Sequence, residues 1–148
     1  MINMLRFLAL ILMFSLFSCS SKPAGDFKSY EFRKFGTRAF PEENYRLYRS
    51  ESGEFLIEVE TELDVFKTFP APAQLPEKID SIVTQYKLWR LKEHYKPPFK
   101  VLDGYSWTVR IGYEEDSIYS GGFNAWPRNK MRDGIREINA LLGEAVAK

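Results

Sequence analysis

The stretch Glu54–Val65 constrains this chain more than any other. Phe55, Ile57, Val59, Thr61, Leu63 and Val65 alternate with Glu58, Glu60, Glu62 and Asp64. Successive side chains of a strand point to opposite faces, so one face is apolar and the other carries carboxylates. That pattern predicts an antiparallel strand with one side on a core and the other in water.

The remaining segments supply partners for it. Lys28–Phe40 reads as a strand that bends at Gly36, and Pro41–Asn44 as a turn. Tyr45 and Leu47 open a second strand that Ser50–Gly53 breaks. Phe69–Pro76 holds three prolines and reads as irregular. Pro76 suits the first turn of a helix, where its missing N–H would be unpaired anyway. Ile79, Ile82, Val83, Tyr86 and Trp89 then form one apolar stripe, and Pro97-Pro98 forces an end by Lys96. Tyr105–Tyr113 alternates again, Glu114–Asp116 turns, and Ser117–Trp126 returns with Gly121-Gly122 inside it. Glycine there predicts a bulge or close approach by another group. Met131, Ile135, Ile138, Leu142 and Ala145 mark a second amphipathic helix. The expected fold class is α+β: an antiparallel sheet of about five strands, ordered β-β-β-α-β-β-α, with two helices packed on one face.

The first residues belong to something else. Phe7–Phe17 is an apolar run of 11 residues behind Arg6. A bilayer-spanning helix needs about 20, so the run suits a signal-peptide core. It leads into Leu16-Phe17-Ser18-Cys19, similar to the cleavage signal of bacterial lipoproteins. The resemblance implies cleavage before Cys19 and acylation of its sulfur and new amino group with palmitate-type chains. The chain then divides into a signal peptide at 1–18, a lipidated Cys and flexible tether at 19–26, and one α+β domain at 27–148. Ser20–Asp26 spans at most about 25 Å when extended, which keeps the domain beside the lipid surface.

Charge and composition narrow the partners. The net charge is +1 over 148 residues, and removing the first 18, whose only basic side chain is Arg6, brings it to zero. A neutral domain has no global field for nucleic acid. The charge is uneven: Asp26–Phe66 carries a net −4 and Lys67–Lys100 a net +4. The single Cys excludes an intrachain disulfide and a multi-Cys zinc site, and the single His excludes a His-rich metal site.

Four further segments stand out: Tyr86-Lys87-Leu88-Trp89, Tyr95-Lys96-Pro97-Pro98-Phe99, Leu102-Asp103-Gly104-Tyr105-Ser106-Trp107 and Gly121-Gly122-Phe123-Asn124-Ala125-Trp126-Pro127. Together they resemble a group of small, functionally uncharacterised lipoproteins of Bacteroides-type bacteria. That resemblance implies a shared fold and an envelope location, and carries no activity. Surface-exported lipoproteins of such hosts resemble one another in an acidic cluster after the Cys. Here no acid precedes Asp26, which points to an outer-membrane anchor facing the periplasm.

Candidate sites follow. On one strand Glu58, Glu60, Glu62 and Asp64 stand about 6.6 Å apart, near the carboxylate separation of inverting glycosidases. A general acid needs burial or crowding to raise its pKa, and an open strand face offers neither. Calcium needs about 6–8 converging oxygens, whereas one strand sets its carboxylates in a line. His94 falls near the expected end of the first helix, where the helix dipole favours its cationic form. No nucleophile elbow or phosphate loop accompanies it. No catalytic residue, metal site or cofactor is assigned. The remaining candidate is a binding patch of Asp103, Tyr105, Trp107, Asn124 and Trp126. A hairpin closing at Glu114–Ser117 sets Trp107 opposite Phe123 or Asn124, and Tyr105 near Trp126. The function expected is that of a membrane-anchored, non-catalytic binding module for an envelope protein or cell-wall component. The alternatives are an immunity- or inhibitor-type lipoprotein and a carboxylate-dependent envelope hydrolase.

Overall fold

The computed structural model describes residues 21–36, 43–62, 65–101, 104–128 and 130–147. Cys19, Leu63, Asp64 and Asp103 lie outside the described residues. Among the described residues seven strands form one sheet: β1 (Phe27–Phe35), β2 (Glu43–Arg49), β3 (Phe55–Glu62), β4 (Val65–Pro70), β5 (His94–Tyr95), β6 (Ser106–Tyr113) and β7 (Ser117–Phe123). Helix α1 (Leu75–Tyr86) follows β4, and α2 (Lys130–Val146) follows β7. The sheet order is β4-β3-β2-β1-β6-β7-β5. The α+β class is as expected, but the sheet is mixed and has seven strands rather than about five.

Three differences account for this. The long alternating segment is two strands, because the chain reverses between Glu62 and Val65 and pairs with itself, with a register shift between Glu60 and Glu62. Val65 is thereby exposed on β4 rather than continuing the apolar face of β3. Next, Phe69-Pro70 is not irregular: it ends β4, an edge strand, where a missing N–H costs no ladder bond. Finally, α1 stops at Tyr86 rather than near Lys96. Lys87 takes a left-handed conformation with φ 52°. A straight helix repeats every 3.6 residues, so Leu88 would lie half a turn from Ile79, facing water. The break at Lys87 and a short 3-10 turn at Leu88–Arg90 instead bury Leu88 completely. His94 consequently sits on β5, exposed and 3.5 Å from Glu93, not at a helix end. β5 runs parallel to β7, with His94 opposite Gly121.

One face of the sheet holds the core. A row crosses it from Phe69 through Ile57, Leu47, Tyr30 and Ile111 to Ile118. Ile79, Val83, Ile135, Ile138 and Leu142 of the two helices meet that row, and all five are fully buried. Each such side chain contributes about 1.5–3 kcal/mol by leaving water. Phe55 and Val59 are half-buried against the same core. The helices pack closely because Gly134 of α2 has no Cβ; one there would lie 2.8 Å from the Tyr86 side chain. The opposite face is polar, with Glu31 between Arg46 and Arg110 and with Glu58 facing Arg46. Among the described residues no helix is long and apolar enough to cross a membrane.

Phenols embedded at the core margin make the fold sensitive to alkali. Burial raises the pKa of Tyr30 and Tyr45, each with help from Glu43. Burial and then the bond to Asp80 raise that of Tyr113. Below about pH 10 folded and unfolded chains both hold these protons and stability is fully present. Above it the unfolded chain releases protons that the folded chain keeps, so stability falls as pH rises. Denaturant titrations between about pH 8 and about pH 11 should show a falling midpoint; an unchanged midpoint refutes the assignment.

Candidate functional site

The second hairpin begins the site. Tyr113 N–H donates to the Asp116 carbonyl at 2.9 Å, closing a two-residue loop at Glu114-Glu115. The turn is tighter than expected, so the register shifts by two. Trp107 opposes Gly122 and Ser106 opposes Phe123. Gly122 is needed there: a Cβ would fall 2.5 Å from Trp107 Nε1 and 2.4 Å from the Ala125 carbonyl. The expected close approach is real, and β6 pairs with β7 without a bulge.

Asn124 ends the hairpin. Its N–H donates to the Tyr105 carbonyl, and its Oδ1 accepts the Tyr105 N–H, both at 2.9 Å. Its φ of 49° lies in the left-handed region that Asn tolerates better than most residues. The chain therefore doubles back instead of extending β7, and Trp107 Nε1 donates to the Ala125 carbonyl at 2.8 Å. Trp126 then lies flat on Trp107, ring centroids 4.5 Å apart and nearly parallel. Phe32 and Tyr105 each stand 6.2 Å from the Trp126 ring, and Tyr95 stands 5.9 Å from that of Trp107.

Tyr105, Trp107, Asn124 and Trp126 are thus brought together as expected; Asp103 lies outside the described residues. Their roles differ. Trp107 is 1% exposed and packs in the core beneath Trp126. Asn124 is bound to backbone and shapes the turn. Tyr105 and Trp126 are half-buried and line a cavity of about 330 Å³. Phe32 and Ile135 complete its apolar floor, and Lys34, Arg132 and Arg136 its rim.

The rim was not read from the sequence. Arg132, Arg136 and Asn139 recur at i, i+4 and i+7 along α2, beside its buried stripe. That spacing announces a shared face, but only the fold sets the face against Trp126. Asn139 is fixed by the buried Tyr30 hydroxyl, which donates to its Oδ1 at 2.7 Å. Lys34 lies directly opposite Glu43, with Nζ 3.6 Å from Oε1. Among the described residues the lining carries three cations and one carboxylate, and Arg132 also stands 3.9 Å from Asp133. A shallower extension of about 280 Å³ shares Glu43, Arg136 and Asn139 and runs past Tyr45 to Gly143. The lining offers cationic N–H donors, an amide and an aromatic floor, which suit an anion attached to a flat or apolar body.

The carboxylate row divides differently. Glu58 faces Arg46 at 4.0 Å, and Glu60 accepts a hydrogen bond from Asn44 Nδ2. Both lie on the polar face, away from the cleft. Among the described residues no three His, Cys, Asp or Glu side chains are grouped to hold a metal ion. No protein-family model matches the chain, and no curated protein matches it.

Proposed function

We propose that this chain is an envelope lipoprotein, acylated at Cys19 and held on the outer membrane facing the periplasm. Its folded domain is a non-catalytic binding module for a cell-wall component. The observation that carries the reading is the cleft: Trp126, Tyr105 and Phe32 under a rim of Lys34, Arg132 and Arg136. Cell-wall polymers present carboxylates beside sugar rings, and both halves of that chemistry have a counterpart here. Among the described residues the cleft lining holds one carboxylate, Glu43, which is exposed and paired with Lys34. That arrangement favours capture over acid–base chemistry, which needs a desolvated acid.

The test is cosedimentation of the mature chain with isolated cell-wall sacculi. Binding is expected, and amidating the sacculus carboxylates should abolish it. Reversing both exposed arginines, Arg132→Glu with Arg136→Glu, should weaken binding by about tenfold or more, equivalent to about 1.4 kcal/mol. The melting temperature should stay near that of the parent, because both side chains are exposed. A parent that stays in the supernatant, or a double variant that binds as the parent does, rejects the reading.

A further inference from the structure

The tether is not a free leash. Lys22 Nζ lies 2.6 Å from Asp80 Oδ1 and 2.7 Å from Oδ2, on helix α1. The same Asp80 accepts the Tyr113 hydroxyl at 2.6 Å, and the Lys22 ammonium stands 5.1 Å from the Tyr113 ring centroid. A second fastening lies four residues on. Glu114 N–H donates to the Asp26 carbonyl at 3.1 Å, carrying the β1–β6 ladder one step past the strand. Asp26 N–H reaches Glu114 Oε2 at 3.4 Å, and Lys28 pairs with Glu114 Oε1 at 3.0 Å. Between the two fastenings Gly25, at φ 85°, turns the chain against the Glu114 side chain. Lys22 and Asp26 of the segment thus touch one end of the domain.

We infer that this strap holds the domain on the bilayer in one orientation, with the cleft facing away from the lipid. The inference rests on the proposed acylation of Cys19. Lys22 lies only three steps along the chain from Cys19, a reach of about 10 Å. The end of the sheet at Tyr113 and the 114–116 turn is therefore the end beside the bilayer. The cleft lies at the other end of β6, by Trp107. Eight residues of strand, at about 3.4 Å each, set the two ends roughly 24 Å apart.

The surface chemistry does not set that direction. Phe35, Val65, Phe66 and Phe123 are 43–51% exposed. They occupy the end of β1, the start of β4 and the end of β7, all at the cleft end of the sheet. The tethered end instead presents Glu114, Glu115 and Asp116, which anionic headgroups repel. Direction thus comes from the strap and not from adhesion to lipid.

The experiment uses the full, acylated chain reconstituted into vesicles of phosphatidylethanolamine and phosphatidylglycerol with a headgroup quencher. With Cys19 acylated, Glu115→Cys and Arg128→Cys each provide one free thiol for a fluorophore. Strong quenching at 115 and weak quenching at 128 are expected. Lys22→Glu should remove that difference. Asp80→Asn, which leaves Tyr113 an acceptor, should reduce it in the same direction. Equal quenching at the two sites of the parent, or an undiminished difference in both strap variants, overturns the inference while leaving acylation standing. A Cys19→Ser chain that floats with vesicles as fully as the parent overturns the acylation reading and the inference with it.

Discussion

Trp107→Ala should lower the free energy of unfolding by about 3–5 kcal/mol, the cost of truncating a fully buried Trp. Trp107 is 1% exposed, so nearly the whole ring volume becomes a cavity. The Ala125 carbonyl loses its indole donor, and Trp126 loses the surface on which it stacks. The loss therefore spreads into the cleft, and the proposed capture of a cell-wall ligand should fall along with stability. Trp126→Ala separates the two effects, because Trp126 is only half-buried. It should damage capture as severely with a smaller shift in denaturant midpoint. Unfolding in urea, followed by far-UV circular dichroism, measures both variants. A Trp107→Ala loss below about 1 kcal/mol would place it outside the range for buried aromatics and refute its central role.

The second large effect is expected at Ile111→Ala, about 2–5 kcal/mol. Ile111 lies between Tyr30 and Ile118 in the row that crosses the sheet and is completely buried. Its neighbour on the same strand provides the control. Arg110 points to the polar face, where its guanidinium stands 5.6 Å from the Tyr119 ring centroid. Arg110→Gln should change stability by no more than about 0.5 kcal/mol. Similar losses from both substitutions would mean that the two faces are assigned wrongly.

Much of the fold was legible because alternation and helical spacing report burial directly. Ile57, Val109, Ile111, Ile135, Ile138 and Leu142 all face the core as their periodicity requires. The failures occurred where pairing decides and periodicity is silent. Glu54–Val65 keeps its alternation up to Val65, so nothing local marks the reversal after Glu62. Pro70 reads as a strand breaker until its place on the sheet edge is known. His94-Tyr95 is too short to show any period, and it becomes a strand only because Gly121 N–H donates to the Glu93 carbonyl at 2.9 Å. The site follows the same division. Tyr105 and Trp126 were found through hairpin register, which survived an error of two residues because Asn124 folds the chain back. Lys34, Arg132 and Arg136 come from segments about a hundred residues apart, and no local pattern links them.

The two margins of the sheet bear on how molecules crowd beside one another. A strand margin with open N–H and C=O groups can template a second chain. At one margin β4 offers six residues, but Pro70 closes its end and Lys67 adds a charge directly opposite Val59. At the other margin β5 is only two residues long, and Lys96, Pro97 and Pro98 follow. If the proposed acylation gathers copies on one membrane surface, neighbours thus meet blunted borders. Even when packed side by side, they are hindered from merging their sheets into a continuous ribbon.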